Sequence, residues 1–225
     1  MTLERIGSQG CLALIGGGEF SFGETLLADR AWLEDLTPGP IGFLPTASGS
    51  TDYGTHFEQY LAETFDREVR TIPIYRSRDA RRTKNLERLE ECVAVYIGGG
   101  VADQLIETLA DSPALETLAR LLGEGRTIIA IAAAAQALGA VARSLRGSND
   151  LVGLGWLTSG VVEPNFDPGH DRRLRQMMSV TGVRWGLGLP AGSALLMGPS
   201  NQNKFVGTTF VLQDADGDFE IFGQE

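Results

Sequence analysis

The segment from Thr127 to Gly139 has the pattern of a catalytic turn that lacks a reacting side chain. It is predicted to be a buried strand that leads directly into an Ala-rich helix, where many α/β hydrolases carry a nucleophile on a sharp turn. Glycine normally stands two residues before and two after the nucleophile, because the strained backbone leaves no room for flanking Cβ atoms. Here the central residue is Ala132 and the flanking residues are Ala130 and Ala134. A methyl group cannot attack a carbonyl carbon.

Two glycine-rich loops follow predicted strands, Gly16–Gly18 after the first and Gly98–Gly100 after the fourth. Both stand at carboxyl ends of strands, where open α/β sheets place their ligand sites. Their backbone N–H groups are candidates to hold an anion or an oxyanion, and the alternative is that they are simply tight turns. Neither loop completes a dinucleotide-binding or P-loop pattern.

The other reactive side chains do not assemble into a catalytic set. The two histidines are His56, near a predicted helix start, and His170, five residues after Asn165. Either His56 lines the cleft or it has a structural role at the helix end; His170 caps a helix, lies in solvent or turns toward Asn165. Cys11 and Cys92 adjoin apolar runs and are predicted to be buried, reduced thiols. With no His, Cys or Asp cluster at ligand spacing, neither a metal nor a cofactor is predicted.

Short apolar runs alternate with amphipathic segments, a pattern typical of a parallel sheet flanked by helices. The fold is therefore predicted as α/β, a three-layer sandwich around a mostly parallel, flavodoxin-like sheet. Strands are predicted at 11–16, 40–45, 68–74, 92–97 and 127–132, and helices at 23–36, 54–66, 101–110, 113–123 and 133–143.

The chain changes character after residue 145. Gly-rich short strands and one helix around 169–180 are predicted there, and 193–222 alternates apolar and polar residues like antiparallel strands. Asp214–Asp218 is predicted to be the turn of a hairpin. With no repeat or low-complexity linker in the sequence, residues 1–225 are predicted to form one domain.

Composition excludes several classes of partner. The formal net charge is −10, with 43% apolar and 21% charged residues, which argues against nucleic-acid binding. One basic cluster, Arg76–Lys84, is interrupted by Asp79 and is interpreted as a solvated loop or helix start, with a phosphate-binding patch as the alternative. A polar N-terminus and the lack of an apolar run of about 18 residues predict a cytoplasmic protein without a membrane span.

Several motifs together resemble peptidase family S51, the dipeptidase E and cyanophycinase group. They are Leu14–Glu19 (LIGGGE), Gly42–Ser48 (GFLPTAS), Tyr96–Gly100 (YIGGG) and Gly186–Leu195 (GLGLPAGSAL). The resemblance covers most of the chain and implies a fold similar to class I glutamine amidotransferases. It also implies that Gly98–Gly100 supplies an oxyanion hole, although Val101 stands where a polar residue is expected.

The resemblance further implies a serine peptidase triad, and this chain departs from it at each position. The family's nucleophile turn, Gly-Thr-Ser-Ala-Gly-Ala, matches Ala130–Ala135, which places Ala132 at the serine. Asn165 matches the histidine and Ala191 the acidic residue. Asparagine hydrogen-bonds but takes no proton near neutral pH.

These departures favour a catalytically inactive homologue, a pseudoenzyme that keeps a cleft for a small anionic or acidic peptide-like ligand. The predicted cleft residues are Gly17, Gly18, Gly99, Gly100, Ala133, Gln136, Asn165 and His56. Two alternatives remain open: a divergent hydrolase of small acidic peptides or amides, and a scaffold or oligomer-forming protein whose pocket is closed. A homodimer is also left open.

Overall fold

The structure is a computed structural model and describes residues 3–147 and 150–223. Its strands are β1 (Cys11–Ile15), β2 (Ile41–Leu44), β3 (Val69–Thr71), β4 (Ala94–Ile97), β5 (Thr127–Ile131), β6 (Val141–Ala142), β7 (Leu151–Val152), β8 (Gly160–Pro164), β9 (Trp185–Leu189), β10 (Ala194–Met197), β11 (Asn203–Val206), β12 (Thr209–Leu212) and β13 (Glu220–Phe222). Its helices are α1 (Leu26–Leu33), α2 (Thr51–Phe65), α3 (Thr83–Glu90), α4 (Ala102–Leu109), α5 (Pro113–Gly123), α6 (Ala133–Ala137) and α7 (Arg172–Met178).

The main sheet has seven strands in the order β11-β10-β1-β5-β4-β2-β3. The five strands from β1 to β3 in that order pair in parallel, whereas β10 and β11 join antiparallel at the β1 side. The predicted α/β fold with a mostly parallel sheet is confirmed. The carboxyl ends of β1, β5, β4 and β2 consequently meet at one edge, which is where the predicted site lies.

Alternating side chains of the main sheet build two cores, one on each face. On β1, Ala13 and Ile15 pack with α1 and α2, whereas Leu12 and Leu14 pack on the face that α4 and α5 cover. All four of these side chains are fully buried. Burial on both faces explains why the strand is apolar without alternation, as expected for a parallel strand between helical layers.

A second sheet has the order β13-β12-β9-β8, and its four strands all come from the C-terminal part of the sequence. Its β8 and β9 pair in parallel and the other two pairs are antiparallel. Val162, Leu187 and Val211 join the larger of the two cores, so this sheet packs against the same side as α4 and α5. The predicted hairpin turn is present between β12 and β13, where the Gly217 amide donates to the Asp214 carbonyl at 3.0 Å.

One predicted helix is too long, and one helix was not predicted. The helix predicted at 133–143 ends at Ala137, because the Ala140 amide pairs with the Gly160 carbonyl at 2.7 Å and the chain continues into β6. Helix α3 was not predicted, and the basic cluster Arg76–Lys84 runs from a loop into its first turn. Between residues 3 and 223, apart from 148 and 149, no helix is long and apolar enough to cross a membrane.

Candidate functional site

The turn between β5 and α6 has the backbone of a nucleophile elbow. Ala132 has φ 52° and ψ −118°, a conformation that costs a non-glycine residue about 1–3 kcal/mol. Main-chain hydrogen bonds hold it: the Ala132 amide donates to Ile15 at 2.9 Å, and its carbonyl accepts from Gln136 at 3.1 Å. Ala130 and Ala134 are fully buried on either side, so the expected requirement for flanking glycines is wrong here. Two methyl groups fit where the sequence motif suggested crowding.

The segment Ile15–Gly17 joins the three positions predicted to be degenerate. Its consecutive carbonyls accept hydrogen bonds from three separate turns: Ile15 from Ala132 at 2.9 Å, Gly16 from Asn165 at 2.8 Å, and Gly17 from Gly192 at 2.9 Å. Ala191 adjoins the last of these donors. The structure thus brings the turns of Ala132, Asn165 and Ala191 around one short segment, although their assignment as former catalytic positions stays a prediction.

Asn165 lies directly over the first glycine loop. Its backbone is left-handed, with φ 49°, and its side chain is exposed. A Cβ built on Gly17 would lie 2.2 Å from Oδ1 of Asn165, so this amide occupies the space that the missing Cβ leaves. Gly17 is therefore covered and offers no open surface to a ligand, contrary to the predicted cleft.

The second glycine loop, Gly98–Gly100, lies next to the elbow. A Cβ built on Gly99 would lie 3.5 Å from the Ala132 Cβ, an ordinary contact. Gly100, with φ 147°, has no such freedom, because a Cβ there would be 2.4 Å from the Ala47 carbonyl carbon. The Gly100 amide has no hydrogen-bond partner among residues 3–147 and 150–223. That amide is the open donor of this loop.

Tyr53 of α2 reaches the same loop and was not predicted there. Burial raises the pKa of Tyr53 to about 12, and a hydrogen bond from the Gly99 backbone amide opposes the rise. Its ring stacks with Phe20 and packs edge-on against Phe43. At neutral pH the hydroxyl is therefore protonated, and it is placed beside the elbow as a neutral polar group. The signal in the sequence was only an aromatic residue in an amphipathic helix.

Two of the predicted cleft residues lie away from the elbow surface. Gln136 is buried and its Nε2 donates to Oε2 of Glu163 at 3.4 Å. His56 lies on the exposed face of α2 and lines a groove with Phe20, Gln59 and Tyr60. The structure does not group either side chain with the Gly98–Gly100 loop.

His170 does not turn toward Asn165. Its Nδ1 lies 2.7 Å from Oδ2 of Asp167, and its side chain is 85% exposed. The pair lowers the pKa of the Asp167 carboxyl, first through the hydrogen bond from His170. This is the solvated surface role that the sequence analysis included among its alternatives.

Glu163 on β8 is a buried acid that sequence reasoning missed. Only 7% of the residue is exposed, and burial raises its pKa while Arg143 and Arg173 oppose the rise. It stands two residues before Asn165 but faces Gln136 behind the elbow helix. A charged residue inside the apolar run of 161–163 was the available signal.

The rim charges differ between the two glycine loops. At the first loop, Glu24 Oε2 accepts from the Glu19 amide at 2.7 Å, and the Glu24 side chain packs against Gly18. These carboxylates oppose an anion at Gly18. The second loop adjoins Val101 and Ala47, which line an arginine-rich cavity. An anion is therefore favoured at Gly99 and Gly100 and disfavoured at Gly17 and Gly18.

Elsewhere in the described ranges, no group of three or more His, Cys, Asp or Glu side chains is arranged to hold a metal ion.

Comparison with known proteins places most of the chain in one family. The model of Peptidase family S51 matches residues 12–203. Two cyanophycinases, from Synechococcus elongatus and from Thermosynechococcus vestitus (strain NIES-2133 / IAM M-273 / BP-1), are each 28% identical to this chain over 191 residues. Those alignments cover 79% of this chain and 58% of each relative, so the chain spans less than two thirds of the length of these curated relatives.

Two solved structures share the fold. A peptidase from an acI-B1 Actinobacterium superposes with a TM-score of 0.75 at 18% identity, covering 98% of this chain and 96% of that one. A putative peptidase E protein from Listeria monocytogenes EGD-e gives a TM-score of 0.65 at 15% identity, covering 88% and 99%. At these identities the likeness establishes the α/β architecture alone.

Proposed function

The chain belongs to peptidase family S51, and from that premise we propose that it is a catalytically inactive member which retains a cleft for a small anionic ligand. The observation that carries the proposal is the elbow at Ala132. Its strained backbone is in place, yet the side chain that would attack a carbonyl is a methyl group. The neighbouring turn offers Asn165, whose amide does not accept a proton near neutral pH.

The loss of two catalytic groups leaves little rate enhancement. In a serine protease, removal of the serine or the histidine alone lowers kcat about 10⁶-fold. An oxyanion hole and substrate binding leave about 10³–10⁴-fold acceleration over water. The turnover that corresponds to this residual activity is far below the value of about 1–10³ per second that is typical of enzymes.

The Gly98–Gly100 loop supports the binding half of the proposal. Solvent reaches Gly99, Ala132 and Ala133, which are all partly exposed, so side chains do not fill the space above the elbow. The Gly100 amide is free to donate, and the loop borders positive rather than negative side chains. A carboxylate of an acidic peptide or of a dicarboxylic acid fits this arrangement.

Hydrolysis assays test the catalytic half. The relatives named cyanophycinase suggest cyanophycin as one substrate to assay. The resemblance to the dipeptidase E and cyanophycinase group adds β-aspartyl-arginine and Asp-X dipeptides. We expect no turnover above background with purified protein. Turnover at about 1–10³ per second that Gly99→Val abolishes would overturn the proposal and favour the divergent hydrolase. A contaminating peptidase would not respond to that substitution.

Calorimetry with succinate and Asp-Asp tests the binding half. We expect weak to moderate binding that Gly99→Val removes. If neither compound binds and no hydrolysis is measured, the scaffold alternative is favoured.

Three other predictions stay as such: one domain over 1–225, a homodimer, and a reducing cytoplasmic setting. Cys92 is buried as predicted, whereas Cys11 is half-buried. Burial raises the pKa of each thiol to about 11, so both stay protonated near neutral pH.

A further inference from the structure

A cavity of about 700 Å³ lies beside the Gly98–Gly100 loop and is lined by four arginines. They are Arg76, Arg78, Arg82 and Arg146, and we call this cavity the arginine pocket. Its volume is within the 300–1,000 Å³ typical of small-molecule sites. We propose that the arginine pocket binds a small polyanion that carries two or more carboxylate or phosphate groups. The inference does not rest on the proposed function, since none of these arginines belongs to the elbow.

Three of the arginines come from the segment between β3 and α3, and one buried acid fixes its shape. Asp79 is 6% exposed, and its Oδ2 accepts from the backbone amides of Arg76 at 3.1 Å and Tyr75 at 3.4 Å. Its Oδ1 pairs with Arg82 at 3.2 Å. Asn85 donates to the Asp79 carbonyl at 3.0 Å from the first turn of α3. These contacts define the backbone from which Arg76 and Arg78 extend into solvent.

Arg146 comes from a distant part of the chain and also lines the pocket. Its Nη1 pairs with Glu107 at 2.8 Å and its Nη2 donates to Oε1 of Gln104 at 3.0 Å. Gln104 is on α4, directly after the Gly98–Gly100 loop, and also lines the pocket. This second wall is tied to the first, because Nε2 of Gln104 donates to the Tyr75 carbonyl at 3.2 Å and Oγ of Ser77 donates to the Glu107 carbonyl at 3.0 Å.

The positive charges exceed the negative ones that hold them. Four guanidinium groups face Asp79 and Glu107, which leaves an excess of two positive charges. Within 3–147 and 150–223 the Arg76 side chain makes no hydrogen bond or ion pair, and Arg78 approaches Asp79 only at 3.9 Å. This local excess of positive charge is opposite in sign to the net charge of the chain, which is −10. Two guanidinium groups are therefore available to an incoming anion.

The chemistry of the guanidinium group sets the ligand class. It is charged at every physiological pH and presents paired donors that match carboxylate or phosphate oxygens. Several such groups around one cavity select ligands with more than one anionic group, because a single carboxylate satisfies only one or two arginines. A cavity of about 700 Å³ suits a small anion rather than a long nucleic acid.

The test is calorimetry at low ionic strength with citrate, tripolyphosphate and acetate as probes. We expect at least one of the two polyanions to bind and acetate to bind at least about tenfold more weakly. The double variant Arg76→Gln/Arg78→Gln should weaken polyanion binding by at least about tenfold. Its melting temperature should stay unchanged, because both side chains extend into solvent. A preference for citrate indicates a polycarboxylate ligand, and a preference for tripolyphosphate a phosphorylated one.

Two matched variants make the result decisive. Arg184→Gln removes an exposed arginine directly before β9 that does not line the pocket, and it should leave binding unchanged. Because succinate carries two carboxylates and also fits the arginine pocket, its binding at the elbow is measured in the Arg76→Gln/Arg78→Gln background, where Gly99→Val should remove it. Gly99→Val alone should leave citrate and tripolyphosphate binding intact. The proposal is overturned if neither polyanion binds, or if Arg76→Gln/Arg78→Gln binds as tightly as the unmodified protein. If the unmodified protein binds a polyanion but not succinate, only the proposed function is contradicted.

Discussion

The elbow at Ala132 and the arginine pocket lie next to each other and are opposite in character. The elbow has an ordered, strained backbone and no side chain able to react. The arginine pocket has four charged side chains on exposed segments and no strained turn at the residues that carry the charge. The elbow therefore has the backbone geometry of a catalytic site but no reactive group, whereas the arginine pocket has charged groups but no geometry for a reaction.

The difference shows what maintains each region. Ala132 is held by hydrogen bonds of its own backbone to Ile15 and Gln136, which do not depend on the side chain at 132. The arginine pocket depends on side chains, since Asp79 and Glu107 orient Arg82 and Arg146. Side-chain substitutions should therefore alter function at the elbow without loss of shape, whereas changes at Asp79 should alter the shape of the pocket.

The largest expected effect would come from restoring chemistry to the elbow. Ala132→Ser alone should give little hydrolysis of Asp-X dipeptides, because Asn165 cannot act as the base. Ala132→Ser/Asn165→His should exceed it by about 10²–10⁴-fold, the usual contribution of a positioned general base. Single-turnover assays for an acyl intermediate measure this gain.

A matched control identifies the base. His170→Gln in the double variant should change nothing, because His170 pairs with Asp167 on the surface. Substantial hydrolysis by Ala132→Ser alone would contradict the claim that the elbow lacks a base, and it would point to His170 as that base.

The next effect is on binding at the glycine loop. Gly99→Val should weaken succinate binding by at least about tenfold, or 1.4 kcal/mol, because its side chain would extend toward Ala132. Stability should be little changed by Gly99→Ala, whose Cβ meets only an ordinary contact. Gly100→Ala should destabilise by about 1–3 kcal/mol through a left-handed φ and a clash with Ala47. Chemical denaturation that ranks these two alanine variants equally would refute the assigned backbone geometry.

A smaller effect concerns strain at the elbow. Ala132→Gly should raise the free energy of unfolding by about 1 kcal/mol, because glycine adopts φ 52° without a Cβ penalty. For a chain of this length the melting temperature should rise by about 2–4 °C. Ala133→Gly, one residue into α6, should instead destabilise. A fall in melting temperature for Ala132→Gly would indicate that the turn is not strained.

The smallest effect concerns the acid behind the elbow. Burial raises the pKa of Glu163, so the folded state favours the neutral form, and its contribution to stability is lost as pH rises from the ordinary pKa through the raised one. Glu163→Gln lacks this titration. The unfolding free energy of Glu163→Gln minus that of the unmodified protein should therefore increase as the pH rises from 4 to 8. The expected increase is at most about 1 kcal/mol. A difference that is constant across this range would show that Glu163 does not titrate differently in the folded state.

The sequence predicted those features that local patterns encode. Buried strands appear as apolar runs, and α5 begins and ends as predicted because Ser112 caps it and Pro113 occupies its first turn. The helix after Ala132 was overestimated, since Ala-rich composition favours a helix while the Gly160 carbonyl takes the chain into β6. Local propensity cannot report such a distant partner.

The arrangement around the site was less predictable for the same reason. The three positions matched to a triad were recognisable as motifs, but their link through Ile15–Gly17 is a tertiary feature. The basic cluster was visible, whereas Arg146 joins it only through contacts to Gln104 and Glu107. Glu163 and Gln136 are hydrogen-bonded although they are distant in the sequence, and no local pattern around either residue predicts this contact.

The three carbonyls of Ile15, Gly16 and Gly17 have a consequence for solvent exchange of the backbone. Their donors, the amides of Ala132, Asn165 and Gly192, belong to distant parts of the chain but depend on one short segment. If that segment moves as a unit, the three amides lose protection in a single opening event. Their hydrogen–deuterium exchange should then follow a common opening free energy, which a ligand bound above the elbow would raise for all three together.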